Sequence, residues 1–174
     1  MEVIDLSLAG LKLVKPKVLK DQRGFFLETF QQSLCQKLGM TGSFLQDNHS
    51  FSLQGCIRGM HFQTQPGQAK LVRVAVGKIY DVAVDIRPES PTYGQWEAVI
   101  LDGESHHQIY IPVGFAHGFC VLSEQAHVLY KVSSLYDPHF EKGFRWNDPT
   151  INIKWPVENP LVSERDQQAP FFKG

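Results

Sequence analysis

The stretch Leu71-Val72-Arg73-Val74-Ala75-Val76-Gly77-Lys78-Ile79-Tyr80-Asp81-Val82-Ala83-Val84-Asp85-Ile86-Arg87 decides the fold. β-Branched and aromatic residues recur on both sides of Gly77, which predicts two strands, Leu71 to Val76 and Ile79 to Arg87, broken at the glycine. In the second strand Tyr80, Val82, Val84 and Ile86 share one face, and Asp81, Asp85 and Arg87 share the other, because strand side chains alternate. Outward from this pair, Trp96 to Leu101, Gln108 to Ile111, Gly118 to Leu122 and Ala126 to Val132 repeat the pattern between Gly, Pro, Asp and Ser turn clusters. Many short strands so punctuated predict an all-β sandwich, jelly roll or barrel. One early helix is expected, since Phe30, Leu34 and Leu38 recur every fourth residue, Gly39 stands at its stop, and Thr29 with Gln32 has capping-box spacing. Beyond Asp148, Pro149, Pro156, Pro160 and Pro170 interrupt every element, so the tail is expected to be irregular and wrapped over the sheet. With no repeat, low-complexity tract or linker, residues 1–174 read as one domain.

Composition narrows the function classes. Seventeen Lys and Arg balance eighteen Asp and Glu, for a formal net charge of -1. That removes the broad basic field which nucleic acid or a membrane surface would require. Cys35, Cys56 and Cys120 are odd in number and lack C-x-x-C spacing, which argues against a disulfide framework and a thiolate metal site. The first residues carry acids where a signal peptide carries bases, and no apolar run approaches the ~20 residues of a membrane span. The expectation is a cytoplasmic protein.

Seven histidines in a β-rich chain raise the question of a metal. A barrel metal site draws on ligands at i and i+2 of one strand plus a carboxylate. That spacing is missing: Phe62 and Gln63 follow His61, and adjacent His106 and His107 would face opposite ways on a strand. Two other features stand out. His61 lies in Gly55-Cys56-Ile57-Arg58-Gly59-Met60-His61-Phe62-Gln63, and His117 in Ile111-Pro112-Val113-Gly114-Phe115-Ala116-His117-Gly118-Phe119. Both are bracketed by glycines that permit close backbone approach, which suggests the wall of one pocket. For each, a hydrogen-bonded core histidine is the alternative. Lys70 likewise reads either as a solvated strand end or as a site cation, and Tyr130 as a packed sheet residue or a reactive phenol.

In order along the chain, Asp21-Gln22-Arg23-Gly24-Phe25-Phe26-Leu27-Glu28, Gln46-Asp47-Asn48-His49-Ser50, Arg58-Gly59-Met60-His61-Phe62-Gln63 and Lys70-Leu71-Val72-Arg73 form a series of motifs. The series continues through Asp81 to Arg87, Ser90-Pro91-Thr92, Ile111 to Phe119, Trp146-Asn147-Asp148-Pro149 and Ser163-Glu164-Arg165-Asp166. Together they resemble the dTDP-4-dehydrorhamnose 3,5-epimerase family over nearly the whole chain. The resemblance implies an all-β, cupin-like jelly roll with a few short helices. It also implies a homodimer without metal or organic cofactor, working in dTDP-L-rhamnose synthesis on a dTDP-linked 4-keto-6-deoxyhexose. By position it makes His61 the general base, Asp166 its partner carboxylate, Tyr130 the general acid and Lys70 the neighbour of the keto oxygen. Arg23, Glu28, Gln46, Asp47, Asn48, Arg58, His117, Glu141 and Arg165 fall at sugar-nucleotide positions. Arg165 departs from the lysine common there, and an arginine fork differs in geometry from an ammonium.

The residue types suit the implied chemistry. Removing a proton beside a ketone requires a positioned cation or donor for the charge arriving on the carbonyl oxygen, a task for Lys70. Histidine titrates near neutral pH, and a carboxylate such as Asp166 would orient its ring. Inversion needs a proton delivered from the opposite face, for which Tyr130 keeps its proton at neutral pH. Arg23 and Arg58 match a diphosphate, and Phe26 is the candidate for a thymine slot, with ordinary core packing as its alternative. Three competing readings are a mono-epimerase or 3,4-ketoisomerase on the same scaffold, a passive sugar-binding module, and a metal-dependent oxygenase. The binding module would lack the acid–base set found here, and the oxygenase lacks its clustered ligands.

Overall fold

The computed structural model describes residues 1–173. Among the described residues, fourteen strands and two short helices follow one another. The N-terminal part holds β1 (Glu2–Asp5), β2 (Lys12–Lys15), β3 (Val18–Asp21), β4 (Gly24–Leu27), α1 (Gln32–Lys37) and β5 (Gln46–Leu53). The centre holds β6 (Cys56–Gln63), β7 (Lys70–Val76), β8 (Lys78–Asp85), β9 (Trp96–Asp102), β10 (Gln108–Ile111), β11 (Phe115–Val121) and β12 (Gln125–Val132). The tail adds β13 (Glu141–Gly143), β14 (Leu161–Val162) and α2 (Glu164–Gln168). No helix among the described residues is long and apolar enough to cross a membrane.

Two sheets face each other as a jelly roll. One runs β1-β2-β10-β7-β12-β5; the other runs β13-β6-β11-β8-β9, with β14 joined in parallel to β6. Between them lies a core to which the first sheet gives Val72, Val74, Ile109, Ile111, Ala126 and Val128, and the second gives Ile79, Ala83, Leu101, Phe115, Phe119 and Val121. The alternation expected for β8 holds, but both of its faces are buried. Ile79 and Ala83 enter the core, whereas Val82 and Val84 pack outward with Met60, Phe144 and Ile151. The proline-rich tail covers that outer face and turns alternate residues into a second core, which is why so few polar positions interrupt the strand.

The outer face of the first sheet is covered only in part. Val14, Leu71 and Tyr110 are buried there beneath Cys35 and Met40, which belong to α1 and its exit. The helix is shorter than the periodicity predicts, and Thr29 does not cap it. Gln31 occupies the cap without a side-chain hydrogen bond. Gln32 instead bonds outward to Gly42 and Phe44, while Phe30 meets the Phe44 ring edge-on before the helix begins. Gly39, at φ 79°, ends the helix as expected. β3 and β4 form a separate two-stranded hairpin.

Candidate active site

Arg58 and His61 are three residues apart on β6, a spacing that would put them on opposite faces of a regular strand. They both face inward because β6 bulges. His61 pairs with His117 and Arg58 with Phe119, so Gly59 and Met60 together oppose Gly118 alone. Glycine is required at this crossing: a Cβ on Gly59, whose φ is 123°, would stand 2.6 Å from the Gly118 Cα and 2.8 Å from the His117 carbonyl oxygen. The two glycine-bracketed histidines thus become direct neighbours across β6 and β11.

Asp166 reaches His61 from 105 positions away. Ser163 caps α2 by accepting from the Asp166 amide, and the short helix presents the carboxylate to β6. One Asp166 oxygen lies 2.7 Å from His61 Nε2, and the other accepts from the Gly59 amide at 3.2 Å. Burial opposes ionisation of Asp166, but the bonds from His61, Gly59 and Ser163 outweigh it and hold the carboxyl below its ordinary pKa. With Nε2 engaged, His61 Nδ1 is the nitrogen left for a substrate.

A second pair stands beside the first. His117 Nε2 lies 3.0 and 2.9 Å from the two oxygens of Asp81, which is wholly buried. Burial lowers the His117 pKa against the pull of that carboxylate. Lys70, 7% exposed at the start of β7, points inward with Nζ 3.4 Å from the His61 carbonyl oxygen. Burial lowers its pKa to about 8, while Glu141 and Asp81 act in the opposite direction. Lys70 therefore remains mostly cationic at neutral pH. Burial raises the Tyr130 pKa, so its phenol keeps its proton there. Arg58 is held by Ser52 and the Phe51 carbonyl oxygen, and Arg165 pairs with Glu141 at 2.5 Å.

These groups line one open cavity of about 560 Å³ between the sheets. Ten of the residues expected from sequence meet there: His61, Tyr130, Asp166, Lys70, Gln46, Asn48, Arg58, His117, Glu141 and Arg165. Four do not. Asp47 alternates to the outer face of β5, where Lys131 takes both of its oxygens at 2.7 and 2.9 Å. Arg23, Phe26 and Glu28 lie on or just after the β3–β4 hairpin, away from this cavity; Phe26 is 69% exposed, so it is neither core nor a wall of the pocket. Sequence reasoning missed Tyr136, whose half-exposed ring borders the cavity, and gave no role to Asp81. The signal for Asp81 was present, as an acid at 81 and another at 85 fall on the inward face of β8. Asp85 is spent on structure, however, bonding Arg87, Ser90 and Thr92.

The family model described as dTDP-4-dehydrorhamnose 3,5-epimerase matches residues 5–174. A dTDP-4-dehydrorhamnose 3,5-epimerase of Shigella flexneri is 49% identical over 174 residues, spanning 99% of this chain and 96% of that one. Among solved structures, a 3,5-epimerase of Legionella pneumophila in complex with dTDP-4-keto-L-rhamnose superposes with TM-score 0.95 at 46% identity, covering 98% of this chain and 92% of that one. A Bacillus anthracis dTDP-4-dehydrorhamnose 3,5-epimerase with TDP and PPi bound gives TM-score 0.95 at 44% identity, covering 98% and 99%. The shared architecture is the cupin-like jelly roll.

Proposed function

The chain belongs to the dTDP-4-dehydrorhamnose 3,5-epimerase family and is an isomerase, and from that premise we propose how its residues divide the work. The substrate is dTDP-4-dehydro-6-deoxy-D-glucose, inverted at C3 and C5 to dTDP-4-dehydro-L-rhamnose in dTDP-L-rhamnose synthesis. The observation that carries the assignment of roles is the meeting of the His61–Asp166 pair, Lys70 and Tyr130 on one cavity.

His61 Nδ1 removes the proton from the carbon beside the ketone, and Asp166 stabilises the imidazolium that results. Charge moves to the C4 oxygen, where the Lys70 ammonium, already held in the cavity wall, meets it. C3 and C5 flank the same ketone, so one cation serves both inversions. Tyr130 returns a proton from the opposite face of the planar enolate. Arg58 and Arg165 supply guanidinium forks for phosphate oxygens, with Arg165 held by Glu141. Gln46 and Asn48 are joined at 2.9 Å and offer amide contacts on the β5 wall.

We further propose a homodimer working in the cytoplasm. Three free thiols suit a reducing compartment. In support of the dimer, the β3–β4 hairpin carries Phe25 and Phe26 at 58% and 69% exposure beside Arg23, outside this chain's own cavity. A second copy would give that apolar tip a place to bury. Light scattering showing a monomer at micromolar concentration would refute this.

The activity is tested by incubating the protein with dTDP-4-keto-6-deoxyglucose in deuterated water and following label and configuration at C3 and C5 by NMR. Deuterium and inversion at both carbons are expected. Label at one carbon alone would make the chain a mono-epimerase, and a ketone moved to C3 would make it a ketoisomerase.

A further inference from the structure

A strap of residues 133–140, from which Tyr136 reaches the catalytic cavity, joins β12, the strand of Tyr130, to β13, which opens with Glu141. Both ends of the strap are tied to the segment between β6 and β7. The Ser133 amide donates to the Ala69 carbonyl oxygen at 3.0 Å, and its hydroxyl accepts from the Ala69 amide at 2.8 Å. The Phe140 carbonyl oxygen accepts from the Thr64 amide at 2.9 Å and from the Thr64 hydroxyl at 3.1 Å. The centre is held differently. Leu135 and Tyr136 are 64% and 52% exposed, so apolar burial does little to fix them. From Ser134 to Asp137 three glutamine side chains do so instead. Gln68 donates to the Ser134 carbonyl oxygen, Gln46 accepts from the Tyr136 amide, and Gln63 binds on both sides of Tyr136.

Gln63 ends β6 and is buried, two positions beyond His61 on the same strand face. His61 lines the cavity, whereas the Gln63 amide is spent on the strap. Its Nε2 donates to the Ser134 hydroxyl at 3.1 Å, the Leu135 carbonyl oxygen at 3.2 Å and the Gln65 carbonyl oxygen at 3.4 Å. Its Oε1 accepts from the Asp137 amide at 3.3 Å. These partners dictate the residue type. Two carbonyl oxygens can only accept and a backbone amide can only donate, so the side chain between them must do both while staying neutral. Glutamate would turn an anion toward the Leu135 and Gln65 oxygens. Without the Gln63 amide these groups regain partners only by moving out to water, which releases the strap.

We propose that Gln63 is a positioning residue for substrate binding, whose amide fixes the strap so that the Tyr136 ring stands in the cavity wall as a contact for the dTDP-sugar. The role rests on the substrate proposed above. A strap held before the ligand arrives need not be ordered by it, so the clamp acts on affinity. His61, Lys70 and Tyr130 take their places from strand pairing, in β6 with β11 and in β7 with β12, so the chemical step does not depend on the strap.

The test compares wild type with Gln63→Met, which keeps the length of the side chain and removes its donors and acceptor. With dTDP-4-keto-6-deoxyglucose, KM should rise about tenfold while kcat stays within about twofold, the pattern of lost uniform binding. Hydrogen exchange should quicken at the Tyr136 and Asp137 amides while the β12 amides keep their protection. A smaller active fraction with unchanged KM would make Gln63 a residue of the fold alone and overturn the proposal. So would a fall in kcat in place of the rise in KM, since Gln63 would then act through His61 on its own strand. Tyr136→Ala supplies the reference: added to it, Gln63→Met should raise KM no further, and additive rises would show that the clamp does not work through that ring. Should Gln63→Met fail to fold, Ser134→Ala removes one acceptor of the same amide from outside the cavity wall and should raise KM about two- to threefold, an unchanged KM overturning the proposal. A wild type that does not turn the sugar nucleotide over would refute the substrate and not the clamp, which the exchange pattern then supports or overturns by itself.

Discussion

Lys70 Nζ lies 3.4 Å from the carbonyl oxygen of His61, so the cation and the base of the proposed reaction are tied to one another through backbone rather than through a flexible side-chain contact. Burial lowers the lysine pKa from 10.5 to about 8, and this couples activity and stability in opposite senses. Folded protein binds fewer protons at this site than unfolded chain between those two values, so its contribution to stability is unfavourable at neutral pH and is relieved as pH rises through that window. The cost at pH 7 is about 3 kcal/mol. The rate of proton abstraction should instead fall above about pH 8, as the cation is lost. Lys70→Met should therefore lower turnover by about two to three orders of magnitude while raising the melting temperature at pH 7. A variant both inactive and less stable would show that the charge is better solvated than its burial implies.

If Lys70 supplies the positive charge for the enolate oxygen, as proposed, turnover should survive exhaustive chelation. Loss of activity that a divalent ion restores would transfer that role to a metal.

How much of this was legible beforehand depended on whether a residue obeyed the rule of its element. β8 and β12 read correctly because their apolar alternation is regular. β6 was not read as a strand: its Gly59–Met60 bulge interrupts the period, although the same glycine had marked His61 as belonging to a pocket. β5 was also missed, because its inward residues Gln46, Asn48, Ser50 and Ser52 are polar where a core strand would be apolar. That inversion is what makes it a wall of the site. α2 is five residues long and sits among prolines, so no periodicity could show it, yet the resemblance put Asp166 beside His61. Arg23 was matched to the nucleotide by position along the chain and Phe26 offered for its aromatic ring, and neither ground carries information on where an exposed hairpin projects.

The His61–Asp166 contact at 2.7 Å predicts non-additive loss. His61→Ala should abolish solvent exchange at both carbons. Asp166→Asn should keep a base that is weaker and less firmly oriented, lowering turnover by roughly 10- to 100-fold. The double variant should be no slower than His61→Ala, since residues acting as a unit do not contribute independently. Additive losses would mean that Asp166 serves the fold through the Gly59 amide instead.

Gly59 itself offers a structural test. Alanine there would place its Cβ 2.6 Å from the Gly118 Cα and hold a side chain at φ 123°, so the β6–β11 pairing must open. The expected cost is about 1–3 kcal/mol of stability. Turnover should fall with it, because the bulge is what brings Arg58 and His61 to the same face. Unchanged melting and unchanged turnover together would show that the strands separate without effect.

The final prediction isolates Tyr130 through stereochemistry. In the proposed division of roles His61 takes a proton from one face and Tyr130 gives one to the other, so solvent exchange and inversion proceed together. Tyr130→Phe keeps the ring that borders the cavity and removes the transferable proton. His61 then still forms the enolate and returns a proton to the face it left, which puts deuterium into unreacted substrate with its configuration retained. Water entering the space of the lost hydroxyl supplies a slower route to inversion, so the quantity to measure is the ratio of labelled starting material to inverted product. That ratio should rise at least about tenfold over the unmodified protein, in keeping with the 10²- to 10⁴-fold that a positioned acid contributes. An unchanged ratio alongside a slower overall rate would remove Tyr130 from the acid role and leave its hydroxyl as a binding contact, held protonated by the burial that raises its pKa.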